Sequence, residues 1–176
     1  TVDRGVITGI VPDAIARIED DARVIDLAGS YLLPGLINMH VHLCGSGKPV
    51  SAGDAGSLMK KLDNPVGRAI VRCILKSSAQ QQLASGVTTV RGAGDPLLCD
   101  LDVRDAINAG KITGTRMFVS GIPIGTTGGH GDSHYNPYIT GQHSMGQVID
   151  SPDAGRKAAR YTLKYGADQI KVMATG

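Results

Sequence analysis

Aromatic residues are scarce in this chain of 176 residues, which holds five Tyr, one Phe and no Trp. Six rings build no stacking platform for bases. With 18 Lys and Arg against 16 Asp and Glu there is no basic stripe either, so no nucleic acid is expected as a partner. Cysteine is equally thin: Cys44, Cys73 and Cys99 form no C-x-x-C pair, and their odd number argues against a disulfide framework. A reducing, cytoplasmic setting fits that usage. No apolar run reaches the ~18 residues of a membrane helix, and the opening TVDRGVITGI lacks a charged segment followed by an apolar one, so no membrane association is expected. The chain also opens without Met, and Thr1 is expected to follow a processing boundary.

Glycine runs the other way. Its 24 residues are about twice the usual ~7 %. They are dispersed at the ends of apolar segments, which calls for tight turns and not for a low-complexity tract. The length suits one main domain with a substantial core.

Residues 1–31 read as a small β element with short strands at Val6 to Val11 and Arg23 to Leu27. From residue 32 onward the pattern alternates. Leu36 to His42 is nearly continuous in apolar residues, as for a parallel strand covered on both faces. After a connection from Gly45 to Asp63, Val66, Ala69, Ile70, Cys73 and Ile74 predict one buried stripe on a helix over Pro65 to Ser85. Gly86 stops it, and the strand Val87 to Val90 follows. A helix over Leu101 to Ala109 leads to a strand over Arg116 to Ser120. Beyond a long polar loop, Ser151 and Pro152 open a helix whose face is marked by Ala154, Ala158, Tyr161 and Tyr165, followed by a fourth strand, Gln169 to Met173. Strand and helix alternation of this kind indicates βαβ units and a parallel sheet. Four such strands are half of a closed eight-stranded barrel, which takes ~250 residues; a small open sheet is the alternative.

Reactive groups in parallel βα folds gather at the carboxyl ends of the strands. There the run PGLINMHVHLC places His40 and His42 one residue apart, on one face of a strand. Metal chelation and a pair of hydrogen-bonded core histidines both fit that pattern. Cys44 is either a third soft ligand or a small buried residue, the commoner outcome. Lys171 is the odd residue of its strand, sharing the inward face with Gln169 and Met173. A buried lysine is costly unless it is paired with a carboxylate or chemically altered. The loop TTGGHGDSHYNP packs His130, Asp132 and His134 together, with glycines that rule out a helical histidine pair.

The blocks VIDLAGSYLLPGLINMHVH, GVTTVRGAGD, GTRMFVSG with TGGHGD, and GADQIKVMATG, in that order, resemble the metal-dependent amidohydrolase superfamily. Within it the likeness is to the imidazolonepropionase-related group that includes Xaa-Pro dipeptidases. The resemblance implies the first half of a (β/α)8 TIM-type barrel, residues 32–176, preceded by part of a small β-sandwich segment, residues 1–31. It also implies a binuclear zinc site with His40 and His42 as ligands of the more buried ion, Lys171 as a carboxylated bridging ligand, and His130 as a substrate-orienting residue. The implied activity is hydrolysis of an amide bond, in a dipeptide or a cyclic amide, by a bridging hydroxide. Two departures stand out: Asn38 where an Asp is usual, and Gly92 where an Asp is frequent. No complete catalytic set lies in these residues. The expectation is therefore a missing C-terminal half or a second chain, homo-oligomerisation, and no turnover by the isolated chain; a noncatalytic metal-binding or assembly half-barrel is the alternative.

Overall fold

A computed structural model describes residues 1–45, 58, 60–132 and 146–175. The connection expected from Gly45 to Asp63 lies largely outside the described residues, as does His134. The chain divides into two compact units, Thr1–Pro34 and Gly35–Gly176.

In the first unit, β1 (Val2–Asp3) pairs antiparallel with β2 (Val6–Ile7). The two-residue connection is Arg4 and Gly5, both at positive φ (46° and 79°), the backbone that matches the twist of a tight hairpin. The strand expected to continue to Val11 stops at Ile7, and Arg23 to Leu27 is not a strand. Val24 and Ile25 are exposed there, so neither their β-branching nor their apolarity has a neighbouring strand to act on.

The second unit is an α/β arrangement with parallel strands. Its main sheet has the order β3 (Leu36–Val41), β4 (Val87–Gly92), β5 (Arg116–Phe118), parallel throughout. Two helices follow the strands as crossovers, α1 (Pro65–Ala84) and α2 (Cys99–Asn108). Asn64 caps α1, its Oδ1 accepting from the amides of Val66 (3.1 Å) and Gly67 (3.0 Å), with Pro65 in the first helical position.

The core forms where the sheet meets these helices. Val41 and Leu43 pack with Val71, Leu75 and Ala79 of α1, Val90 of β4, Cys99, Leu101 and Val103 of α2, and Met117 and Val119 at β5. The helix over Pro65 is where the periodicity puts it, but its buried stripe is Gly67, Val71, Leu75 and Ala79. The expected stripe is turned outward instead, with Val66 70 % and Ile70 49 % exposed. Two adjacent stripes of α1 are apolar, and the one that goes inside, with Val71, Leu75 and Ala79, also carries Gly67, where a Cβ would run into the backbone of Leu62.

Strand β3 differs as well. Leu36, Ile37 and Met39 are exposed, because among the described residues β3 is an edge of the sheet and helices cover only one of its faces. Ile37 and Met39 line a 270 Å³ cavity on the uncovered face together with Val90, Arg91, Phe118 and Gln169.

Past β5 the chain makes a second, two-stranded parallel pair, β6 (Ile124–Gly125) with β7 (Gln147–Val148), and then α3 (Pro152–Lys164). The Ser151 side chain caps α3 by accepting from the Ala154 amide (3.2 Å). This helix buries Ala158 and Thr162, while Tyr161 and Tyr165 lie exposed against each other, with ring centroids 5.0 Å apart. The expected fourth strand shrinks to one parallel bridge, Ile124 with Val172. Its backbone is nonetheless held to β6, the Ile124 amide donating to the Lys171 carbonyl (2.8 Å) and the Met173 amide to the Ile124 carbonyl (2.8 Å).

Candidate functional site

The pairing of β3 with β4 is irregular just where the histidines stand. Asn38 pairs with Val90 and Val41 with Gly92, so β3 spends one more residue than β4 over this stretch. That is the count of a β-bulge, a device that re-aims side chains near strand ends. Out of the ladder, the Met39 carbonyl accepts from Arg91 Nε at 2.6 Å, and the His40 amide donates to Asn38 Oδ1 at 3.2 Å. Val41 and Leu43 turn into the core, while His40 and His42 share the exposed face.

The two imidazoles meet edge to face, with centroids 5.3 Å apart and Nε2 to Nε2 at 3.4 Å. His42 Nδ1 lies 2.7 Å from the Gly94 carbonyl. A carbonyl only accepts, so Nδ1 carries the proton and the Nε2 of neutral His42 presents a lone pair. Two nitrogens at ~2.0 to 2.1 Å from one tetrahedral ion stand about 3.3 to 3.4 Å apart, so the observed spacing fits a shared divalent ion. His40 is pushed below the ordinary histidine value, first by the Lys171 charge, then by burial and by His42 and Arg91. That shift favours the neutral, ligating form of His40.

Lys171 is half-buried, less enclosed than a strand with an inward lysine would make it. It lines a 210 Å³ cavity with His40, Arg91, Ala93, Gln169, Ile170 and Val172. None of the ion pairs among the described residues involves it. Gln169 Nε2 donates to the Gly92 carbonyl (3.0 Å), tying this segment to the end of β4. Behind it, Asp168 is gripped by Arg104 Nη1 (2.8 Å), which also donates to the Gly166 carbonyl (2.7 Å), and Asp168 accepts from the Val119 amide (2.9 Å).

His130 is exposed on the β6 to β7 connection and is not among the residues lining the cavity of His40 and Lys171. Nearby Asp132 Oδ2 closes a turn on the Gly128 amide (2.9 Å). Among the described residues no group of three or more His, Cys, Asp or Glu is placed to hold a metal ion. Cys44 is a poor ligand as it stands: burial, followed by the charge of Asp95 and a hydrogen bond to it, raises its thiol well above the ordinary value and keeps it protonated.

Asp95 is the functional neighbour that sequence reading missed. It is 4 % exposed, and its carboxylate accepts from the amides of Cys44 (2.9 Å) and Leu43 (3.3 Å). Burial raises its affinity for a proton, and those same donors oppose the rise. The only sequence signal was an acid between a glycine and a proline in RGAGDP.

Residues 31–176 match the amidohydrolase family. The chain belongs to that family. Members of the amidohydrolase family are generally metal-dependent. The chain is 33 % identical over 122 residues to a dihydroorotase of Carboxydothermus hydrogenoformans, covering 60 % of this chain and 28 % of that one. It is 27 % identical over 159 residues to an ochratoxinase of Aspergillus niger, covering 82 % and 31 %. Among solved structures it resembles a crystal structure of an amidohydrolase at TM-score 0.70 and 32 % identity, over 92 % of this chain and 38 % of that one. A Xaa-Pro dipeptidase with bound methionine in its active site matches at TM-score 0.59 and 32 % identity, over 79 % and 33 %. This amidohydrolase chain thus spans about a third of the length of the relatives it matches. Such neighbours imply a TIM-barrel-type fold, in keeping with parallel strands followed by helices.

Proposed function

We propose that this chain supplies the histidine side of a metal-dependent active site that hydrolyses the carbon–nitrogen bond of a small amide, either a dipeptide or a cyclic amide. The observation that carries this reading is the convergence of His40 and His42 Nε2 at 3.4 Å beside a cavity that Lys171 also lines. In this reading His40 and His42 hold one divalent ion, zinc, and Lys171, carboxylated on Nζ, joins them as an anionic oxygen ligand to a two-zinc site. The ions, when bound, supply Lewis-acid polarisation of the substrate carbonyl and a water acidified for attack.

The chain's own residues prepare that chemistry. The Gly94 carbonyl fixes the His42 tautomer. The contact of Gln169 with Gly92 and the grip of Arg104 on Asp168 hold the Lys171 segment against the end of β4. His130, from its exposed loop, is assigned to orienting the substrate carbonyl or carboxylate. Strands β3, β4 and β5 and the segment around Val172 are read as the first four strands of an eight-stranded barrel, with residues 1–31 in a small β-sandwich. The remaining strands, and the groups that complete the site, come from outside these 176 residues.

The reading is tested on the whole enzyme by metal analysis together with hydrolysis of a panel of dipeptides and cyclic amides. Zinc should co-purify, chelation should abolish turnover and zinc should restore it, and His40→Ala or His42→Ala should lose both metal and activity. Neutral-pH mass spectrometry should find a carbon dioxide adduct on Lys171. Turnover that survives chelation, or a zinc content unchanged in both histidine variants, would overturn it.

A further inference from the structure

Three consecutive residues after β4 grip four consecutive residues at the end of β3. The Ala93 amide donates to the Val41 carbonyl (2.9 Å), the Gly94 carbonyl accepts from His42 Nδ1 (2.7 Å), and the Asp95 carboxylate accepts from the amides of Leu43 and Cys44. Gly94 reaches this arrangement at φ 117°, where a Cβ would meet the Pro123 ring at 2.9 Å, so only glycine turns its carbonyl to the imidazole there. Leu43 is 3 % exposed, and without Asp95 its amide would lack a partner in the interior.

We infer that Asp95 is a positioning residue for the histidine pair: by clamping the Leu43 and Cys44 amides it holds His42 against the Gly94 carbonyl and aims its Nε2 beside that of His40. This deepens the proposed metal site and rests on it for the consequence in metal affinity, though not for the consequence in tautomer. The chemistry requires an acid. Both oxygens of Asp95 face amide donors, with the Cys44 thiol as a further donor, and only a carboxylate accepts on both. An Asn would point its NH2 at one of those donors.

The test has two readouts on the full chain. In metal-free protein, long-range ¹H–¹⁵N NMR of the imidazoles should find His42 protonated on Nδ1 and bare on Nε2, and Asp95→Asn should show a mixture of tautomers. Cobalt(II), titrated by its visible absorption, should bind the variant about 10- to 100-fold more weakly than the wild type. The tautomer in the wild-type protein needs neither the variant to fold nor a metal to bind. A His42 protonated on Nε2 there overturns the inference. So does an Asp95→Asn protein of lowered melting temperature whose His42 tautomer and cobalt affinity are those of the wild type, because Asp95 would then act on stability alone. A wild type that binds no cobalt but keeps the Nδ1–H tautomer, lost in Asp95→Asn, overturns the metal reading and upholds the positioning role.

Discussion

Asp100 gives this fold a dependence on pH opposite to that of most carboxylates. It sits in the first turn of α2 with no exposure to solvent. Oδ2 accepts from the Gly121 amide at 3.0 Å, while Oδ1 has no partner among the described residues. Burial pushes its carboxyl up to about 7, the charge of Asp95 adds to the rise, and the amides of Gly121, Leu101 and Asp100 itself oppose it. Against an ordinary value of ~3.9 this is about 3 units, or about 4 kcal/mol at 1.36 kcal/mol per unit. The folded state binds the proton more tightly than the unfolded one. Its stabilising contribution is therefore complete below about pH 4 and is lost as pH rises through about 7, beyond which it is flat. Urea unfolding at a series of pH values between 4 and 8.5 should show wild-type stability falling across that window. Asp100→Asn keeps an oxygen for the Gly121 amide and carries no charge, so it should remove most of that slope. Relative to wild type it gains up to about 4 kcal/mol between pH 4 and pH 8. Its unpaired NH2 group lowers stability by about 1 to 3 kcal/mol at every pH, which leaves the difference in slope intact. Asp95, raised in the same direction by burial, preserves a smaller slope in both proteins. Parallel pH profiles for wild type and Asp100→Asn would refute this reasoning.

Two further perturbations probe the packing. Leu75 is fully buried between α1 and the sheet, and Leu75→Ala should cost about 2 to 5 kcal/mol in urea unfolding. The exposed neighbour Ile74→Ala should cost far less; equal losses would show that the stripe has been assigned to the wrong face. Arg104→Gln removes a charged donor from Asp168 and from the Gly166 carbonyl and should cost about 1.5 to 3 kcal/mol. It should also speed hydrogen exchange at the Val119 amide, which Asp168 accepts, without affecting the Leu43 amide held by Asp95.

Local pattern was enough to place α1, α2 and α3 and the strands β3, β4 and β5, because capping residues, glycine stops and apolar periodicity act within a few residues of the chain. It was not enough to choose the buried face of α1. Val66, Ile70 and Ile74 are as apolar as Val71 and Leu75, and the choice fell to tertiary packing, which sets Val71, Leu75 and Ala79 in one core with the sheet and α2. Likewise Arg23 to Leu27 has the composition of a strand, but a strand exists only with a partner, and composition carries no record of one.

The same division holds at the site. The sequence by itself determined that two histidines stand on one face at the end of a parallel strand, because side-chain alternation needs no tertiary information. The tertiary structure alone decided which nitrogen of His42 is bare, since the Gly94 carbonyl that settles it lies 52 residues away in the chain. It alone brought Lys171 and Arg91 onto the cavity beside His40, and set Asp95 under the turn that carries His42. Those contacts join the ends of different strands, and they arise from the parallel stacking of βα units, which gathers carboxyl ends that are far apart along the chain.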